Sequence, residues 1–168
     1  MSEKKRPDIH TISILVANKP GVLVRCAQVF ARRAYNIDAL VVSTTVDPRF
    51  SRMTITAQGD PATLDQIIKQ TAKLIDVIHV SEHTGKDAIH RELALVKIKN
   101  TPAAKNLLLK SNKKFTVRIA HQDKHTLIVE QSGTTAELDE FEGLLKKHGI
   151  LEIVRSGKLV MATGKEAT

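Results

Sequence analysis

Apolar residues along the first half of the chain follow two different periods. Over residues 10–17 they occupy every second position, which is typical of a strand with one buried face. Over residues 22–35 they recur at every third and fourth position, which is typical of an amphipathic helix. Asp60 followed by Pro61 predicts the start of a second helix, which continues to Ile75. Further strands are predicted at residues 37–46, 51–57 and 77–81.

The second half of the chain repeats this order of elements. Strands are predicted at residues 92–99, 115–120, 126–131, 151–154 and 159–162, and helices at residues 102–109 and 135–148. Thr135 is the predicted cap of the last helix, without a full capping box. The fold class is therefore α+β, with two tandem ferredoxin-like βαββαβ sandwiches. We assign residues 8–83 to the first domain, 84–90 to a linker and 91–164 to the second domain.

Charge and composition limit the classes of partner. The chain holds 26 Lys and Arg against 18 Asp and Glu, a net charge of +8, and only 3% aromatic residues. RNA-binding sandwiches stack bases on exposed aromatic side chains, and the strands predicted at 37–46 and 51–57 contain none. The densest basic cluster, Lys110, Lys113, Lys114 and Arg118, is either a solvated surface or a patch for an acidic partner or nucleic acid.

The sequence also limits compartment and chemistry. Residues 1–7 lack the apolar region of a secretory signal, and no apolar run approaches the ~20 residues that span a bilayer. A lone cysteine, Cys26, fits a reducing compartment, and we expect a cytoplasmic protein without membrane contact. No catalytic motif is present, and the histidines are scattered. We therefore expect no enzyme activity, metal or cofactor in this chain, and Cys26 is expected to be a core thiol.

One turn carries a candidate binding site, the segment from Asn18 to Leu23 between the first strand and the first helix. Gly21 lets the backbone approach a ligand, and the free N–H groups of a helix start favour a carboxylate. Asn18 can both donate and accept, which suits a zwitterion. Val22 and Leu23 offer apolar surface for an aliphatic side chain. The alternative is a plain turn, because turns commonly contain Asn, Pro and Gly.

Several segments resemble known families. Residues 15–23 (LVANKPGVL) and 32–37 (RRAYNI) resemble the ACT domain, a regulatory module that binds amino acids. Residues 51–55, 73–77, 91–98 and 155–157 are similar to the small regulatory subunit of acetolactate synthase, also called acetohydroxyacid synthase. This resemblance covers nearly the whole chain. It implies an ACT domain followed by an ACT-like C-terminal domain that contacts a catalytic subunit.

The resemblance also implies a function in the biosynthesis of valine, leucine and isoleucine. Such a subunit is not catalytic. It activates a catalytic large subunit and confers feedback inhibition by valine or a related amino acid. The large subunit carries thiamine diphosphate and magnesium, with FAD as an optional addition. The effector lies between the ACT domains of a homodimer. By matching motif positions, the implied effector-binding residues are Asn18, Lys19, Pro20, Gly21, Val22 and Leu23, with Asn36 and Ile37 contributed across the dimer.

Two departures from the family pattern lie in the second half. Residues 100–114 are shorter and richer in lysine than the helix usual in the family, and residues 161–164 replace its usual ending. The partner contacts of the second domain are therefore less defined than the effector site. The alternative functions are a stand-alone amino-acid sensor and an RNA-binding module on the same sandwich fold. We expect no nucleic acid partner, because exposed aromatic residues are missing.

Overall fold

A computed structural model describes residues 9–85 and 87–168. Its first six elements follow the predicted order and are β1 (Ile9–Ala17), α1 (Val22–Ala31), β2 (Asn36–Thr44), β3 (Phe50–Gln58), α2 (Pro61–Thr71) and β4 (Val77–Glu82). The remaining elements are β5 (Ala88–Lys99), α3 (Pro102–Ser111), β6 (Thr116–Gln122), β7 (Thr126–Gly133), α4 (Thr135–Lys146), β8 (Ile150–Arg155) and β9 (Leu159–Ala162). The predicted α+β class with two βαββαβ sandwiches is confirmed.

The first sheet is antiparallel and has the strand order β2-β3-β1-β4. Ile12 of β1 lies opposite Ile55 of β3, and Ile14 lies opposite Met53. Because paired residues share a face of the sheet, these four side chains form one buried layer. Apolar residues of α1 and α2 complete this core, among them Val22, Cys26, Phe30, Leu64 and Ile67.

Helix α1 was predicted to reach Tyr35, but it ends at Ala31. Arg32 is the C-cap, and Ala34 has a φ of 51°, in the left-handed region. This turn directs Tyr35 back into the core, where its ring meets the ring of Phe30 edge-on at 6.5 Å between centroids. The apolar period continued through Tyr35 because Tyr35 is buried, although it lies outside the helix.

The second sheet has the order β6-β7-β5-β8, and β9 pairs with β5 off this path. Its core contains the rings of Phe115 and Phe141, 5.3 Å apart. The cap of α4 is Thr134 rather than the predicted Thr135. Thr134 and Glu137 form a complete capping box, in which each side chain satisfies a backbone N–H of the other residue.

The boundaries between the two units differ from the predicted domains. The described residues up to Ile89 form one compact unit together with Lys158–Thr168, and His90–Gly157 forms the other. In the C-terminal segment of the first unit, Thr163 donates its backbone N–H to the carbonyl of Asp87 at 2.9 Å. Residues 88–90, predicted as linker, are the start of β5. None of the helices formed by the described residues has the length and hydropathy needed to cross a bilayer.

Candidate functional site

Asn18 fixes the turn between β1 and α1 to the neighbouring turn between β2 and β3. Its backbone N–H donates to the carbonyl of Arg49 at 2.7 Å. Its side-chain amide donates to the carbonyl of Pro48 at 3.0 Å. Among the described residues no donor reaches the side-chain oxygen of Asn18. That oxygen is therefore available to accept a hydrogen bond from an ammonium group.

Helix α1 begins directly after a glycine in the left-handed region. Gly21 has a φ of 82°, and within the described chain no side chain caps the first turn of α1. The backbone N–H of Val22 donates to the carbonyl of Lys19 at 3.4 Å. The N–H groups of the next two residues point out of the helix start, and the helix dipole adds a partial positive charge there. This geometry favours a carboxylate ligand.

Asp76 supports this turn from the loop before β4. Its carboxylate accepts from the guanidinium of Arg25 at 2.5 Å and lies 3.9 Å from the ammonium group of Lys19. Its backbone carbonyl accepts from the N–H of Ala17 at 2.8 Å. Two cations therefore share one carboxylate beside the start of α1, which leaves a net positive charge next to the free N–H groups.

A small cavity of about 130 Å³ opens between this turn and the sheet. Four of the predicted site residues line it, namely Asn18, Lys19, Val22 and Leu23. The strands contribute Val16, Ala17, Val42, Ser51 and Met53, which the sequence did not indicate as site residues. The sequence did contain a signal for Ser51 and Met53. They are two residues apart and so share one face of a strand, and the end of that strand lies next to a turn. The cavity thus has a polar edge and apolar walls.

The other four predicted site residues do not line this cavity. Pro20 and Gly21 belong to the turn but do not line the cavity. Asn36 lies opposite Gln58, which in turn lies opposite Ile9 at the start of β1. Asn36 and Ile37 therefore lie at the opposite end of the sheet from Asn18, and a single chain does not bring the two groups together. The side chain of Asn36 donates to the carboxylate of Asp38 at 3.0 Å.

Cys26 lies in α1 behind this turn and is fully buried. Burial raises the pKa of its thiol, although the positive charge of Arg25 acts in the opposite direction. A thiol with a raised pKa carries little of the reactive thiolate at neutral pH. Cys26 therefore fills the core as a small apolar side chain. Within residues 9–85 and 87–168, no three His, Cys, Asp or Glu side chains form a group that could hold a metal ion.

Two family models match the chain. Residues 12–79 match the AHAS small subunit-like ACT domain, and residues 91–164 match the small subunit of acetolactate synthase. The first sandwich, with its strand-to-helix turn and open helix start, therefore defines an ACT-domain protein. The two matches follow each other along the chain, as the two units of the structure do.

Similar proteins match this chain over nearly its full length. A probable acetolactate synthase small subunit from Archaeoglobus fulgidus is 40% identical over 157 residues, covering 94% of this chain and 98% of that protein. The acetolactate synthase small subunit of Mycolicibacterium smegmatis is 36% identical, covering 92% and 91%. The crystal structure of an acetolactate synthase small subunit from Thermotoga maritima superposes with a TM-score of 0.83 at 31% identity, covering 94% and 99%. The chain belongs to the acetolactate synthase small-subunit family.

This membership confirms the resemblance noted in the sequence. It supports a regulatory rather than a catalytic role for the chain.

Proposed function

We propose that the chain is the regulatory subunit of an acetolactate synthase. It binds the catalytic large subunit, which carries thiamine diphosphate, magnesium and optionally FAD. It raises the activity of that subunit and transmits feedback inhibition by valine or a related branched-chain amino acid. The observation that supports this proposal most directly is the open first turn of α1 beside a small apolar cavity.

The chemistry of a branched-chain amino acid matches this turn group by group. The carboxylate of the effector accepts from the free N–H groups at the start of α1. Its ammonium group donates to the side-chain oxygen of Asn18. Its aliphatic side chain packs on Val22, Leu23 and Met53, which line the cavity. Pocket volume sets the preference among branched-chain amino acids. One methylene changes the binding free energy by only about 1–3 kcal/mol, so leucine and isoleucine are candidate effectors besides valine.

One chain supplies half of this site. The cavity of about 130 Å³ is smaller than the roughly 300–1,000 Å³ of typical ligand sites. Strand β2 is at the edge of the first sheet, so its outer backbone groups are open to a further strand. A twofold antiparallel pairing of two β2 edges about Leu40, the middle residue, places Asn36 of one copy opposite Thr44 of the other. Thr44 lies opposite Ser51, which lines the cavity.

A homodimer joined through β2 therefore brings Asn36 and Ile37 of a second copy toward the turn of the first. Effector bound between the two copies favours one arrangement of the dimer over another. If that arrangement holds the large subunit in a less active state, effector binding and inhibition are coupled through a shift in population. This coupling requires no catalytic group on the small subunit.

Calorimetry with valine, leucine and isoleucine tests the effector site. We expect at least one of the three to bind the purified chain. The Asn18→Ala variant loses the ammonium acceptor and the contact with Pro48, so its binding falls about tenfold while activation of the large subunit is retained. Asn106→Ala, an exposed amide on α3, is the matched control and binds as the wild type does.

Two results would contradict the proposal. The first is the absence of binding by all three amino acids at millimolar concentration. The second is an equal loss of effector binding and activation in Asn18→Ala, which would argue against separate sites for effector and large subunit.

A further inference from the structure

We propose that a groove on the second unit, between α3 and β6, docks a segment of the catalytic large subunit in which an apolar side chain is flanked by carboxylates. This inference rests on the proposed function, which makes the large subunit the partner. The groove, called here the α3–β6 groove, has a volume of about 200 Å³. Its lining residues include Lys105, Leu109, Asn112, Val117, Arg118 and Ile119.

The floor and walls of the α3–β6 groove are apolar and open to solvent. Leu109 is 70% exposed and Ile119 is 45% exposed, although both are large aliphatic residues. Leu108, which also lines the groove, is buried and belongs to the core of the unit. The groove is therefore attached to a packed core and presents apolar side chains outward. Exposed apolar surface with a polar rim is typical of protein interaction sites.

The chain segment that forms α3 and the start of β6 carries charge of one sign. Residues 100–118 contain five Lys and Arg and no Asp or Glu. Arg118 is held by the carboxylate of Glu130, with donor–acceptor distances of 2.7 and 2.8 Å, and Lys114 bonds to Glu140. Lys105, Lys110 and Lys113 have no carboxylate within ion-pair distance in the described part of the chain.

These ion pairs change the basic patch expected from the sequence. Two of its four members, Lys114 and Arg118, are neutralised within the unit. Lys105 lines the groove and was not part of the expected patch. The free positive charge therefore lies on α3 and just after its end, beside an apolar groove, and it is complementary to an acidic partner.

A second copy of the chain is a poor occupant of this groove. A twofold contact places the same surface on both sides, and here it would bring the lysines of the two α3 helices together. An acidic segment meets no such repulsion. Strand β6 ends the sheet order on this side, so its outer backbone groups are also open to pairing with an added strand.

The test measures binding of the full chain to the catalytic large subunit, by calorimetry at two salt concentrations. Leu109→Asp places a carboxylate in the groove, and we expect binding to weaken about tenfold or more. Leu151→Asp is the matched control, because Leu151 is 51% exposed on β8 at the other edge of the same sheet. It binds as the wild type does. Circular dichroism and urea denaturation verify that each variant is folded.

A second pair of variants separates the groove from the general charge of α3. Lys105 lines the groove, whereas Lys110 lies on the same helix outside its lining. We expect Lys105→Glu to weaken binding about tenfold, and Lys110→Glu to have a smaller effect that disappears at high salt. If Leu109→Asp fails to fold, Leu109→Ala removes the anchor without adding charge and is expected to weaken binding about fivefold.

The outcomes distinguish this proposal from the proposed function. If the wild type does not bind the large subunit, the proposed function is wrong. If the wild type binds and the Leu109 variants bind equally well, only the groove is wrong. Equal losses in Lys105→Glu and Lys110→Glu overturn the groove in favour of charge steering alone. A change in the oligomeric state of Leu109→Asp without large subunit overturns it in favour of a second copy.

Discussion

The carboxylate of Asp76 lies 2.5 Å from the guanidinium of Arg25, and this pair joins helix α1 to the loop before β4. The side chain of Asp76 is only 12% exposed, whereas that of Arg25 is 44% exposed. Arg25 also lies over Gly21, since a Cβ at Gly21 would be 3.0 Å from its Nη1. The ion pair therefore supports the turn that carries the candidate effector site.

Replacing Asp76 by Asn removes the charge of the pair and keeps the size of the side chain. Solvent screens Arg25, so we expect the free energy of unfolding to fall by only about 1 kcal/mol. Effector binding should fall severalfold because the turn loses its support. Urea denaturation and calorimetry check both effects. Asp65→Asn, which removes an exposed pair with Lys69 within α2, should change neither; an equal effect would contradict the role of Asp76.

Gly21 is required for its backbone conformation. An Ala at a φ of 82° is strained, and we expect Gly21→Ala to lower the free energy of unfolding by about 1–2 kcal/mol. The same substitution at Gly143 is the control. Gly143 lies inside α4 and an added Cβ there meets nothing within 4 Å, so Gly143→Ala should raise stability by about 0.5–1 kcal/mol. In urea denaturation we expect the two variants to change the free energy of unfolding in opposite directions. Changes in the same direction would contradict the conformational role of Gly21.

Thr134 and Glu137 stabilise the start of α4 through the capping box. Thr134→Ala removes the acceptor for the N–H of Glu137, and we expect a loss of about 1 kcal/mol in the free energy of unfolding. Thr134→Ser keeps the hydroxyl and should stay close to the wild type. If the two variants lose equal stability, the hydroxyl is not what stabilises this helix.

Asp123 stabilises the turn between β6 and β7. Its carboxylate accepts hydrogen bonds from the Thr126 hydroxyl, which has the largest effect, and from the backbone N–H groups of His125 and Thr126. These hydrogen bonds lower the pKa of Asp123 from 3.8 to about 2. A lowered pKa in the folded state means that the ionised carboxylate favours folding. This contribution is complete above the ordinary pKa and is lost as pH falls through about 2.

The Asp123→Ala variant tests this pH dependence. Its stability deficit relative to the wild type should be constant near neutral pH and should shrink below about pH 4. Denaturation curves across this range give the deficit, and nuclear magnetic resonance titration gives the pKa of Asp123 directly. A deficit that does not change with pH would contradict the assignment.

The order of the elements and much of the site turn could be predicted from the amino-acid pattern alone. Alternation and helical period are set by neighbouring residues, so the order of strands and helices was predicted and confirmed. The cap at Asp60 with Pro61 after it was also predicted, and the side chain of Asp60 accepts from the N–H of Thr63. These features depend on contacts a few positions apart. Asn18, Lys19, Val22 and Leu23 belong to one short turn, and the cavity indeed forms beside them.

The distant residues that complete that turn depend on how the elements pack in three dimensions. Asp76 is 51 positions from Arg25, and Val42 and Met53 reach the cavity through the pairing of β2 with β3. The separation of Asn36 from Asn18 also follows from strand register. Lys114 and Arg118 look like free charges in the sequence, yet carboxylates from other elements neutralise them. Register and ion pairing depend on how elements pack, and a local pattern contains no information about that packing.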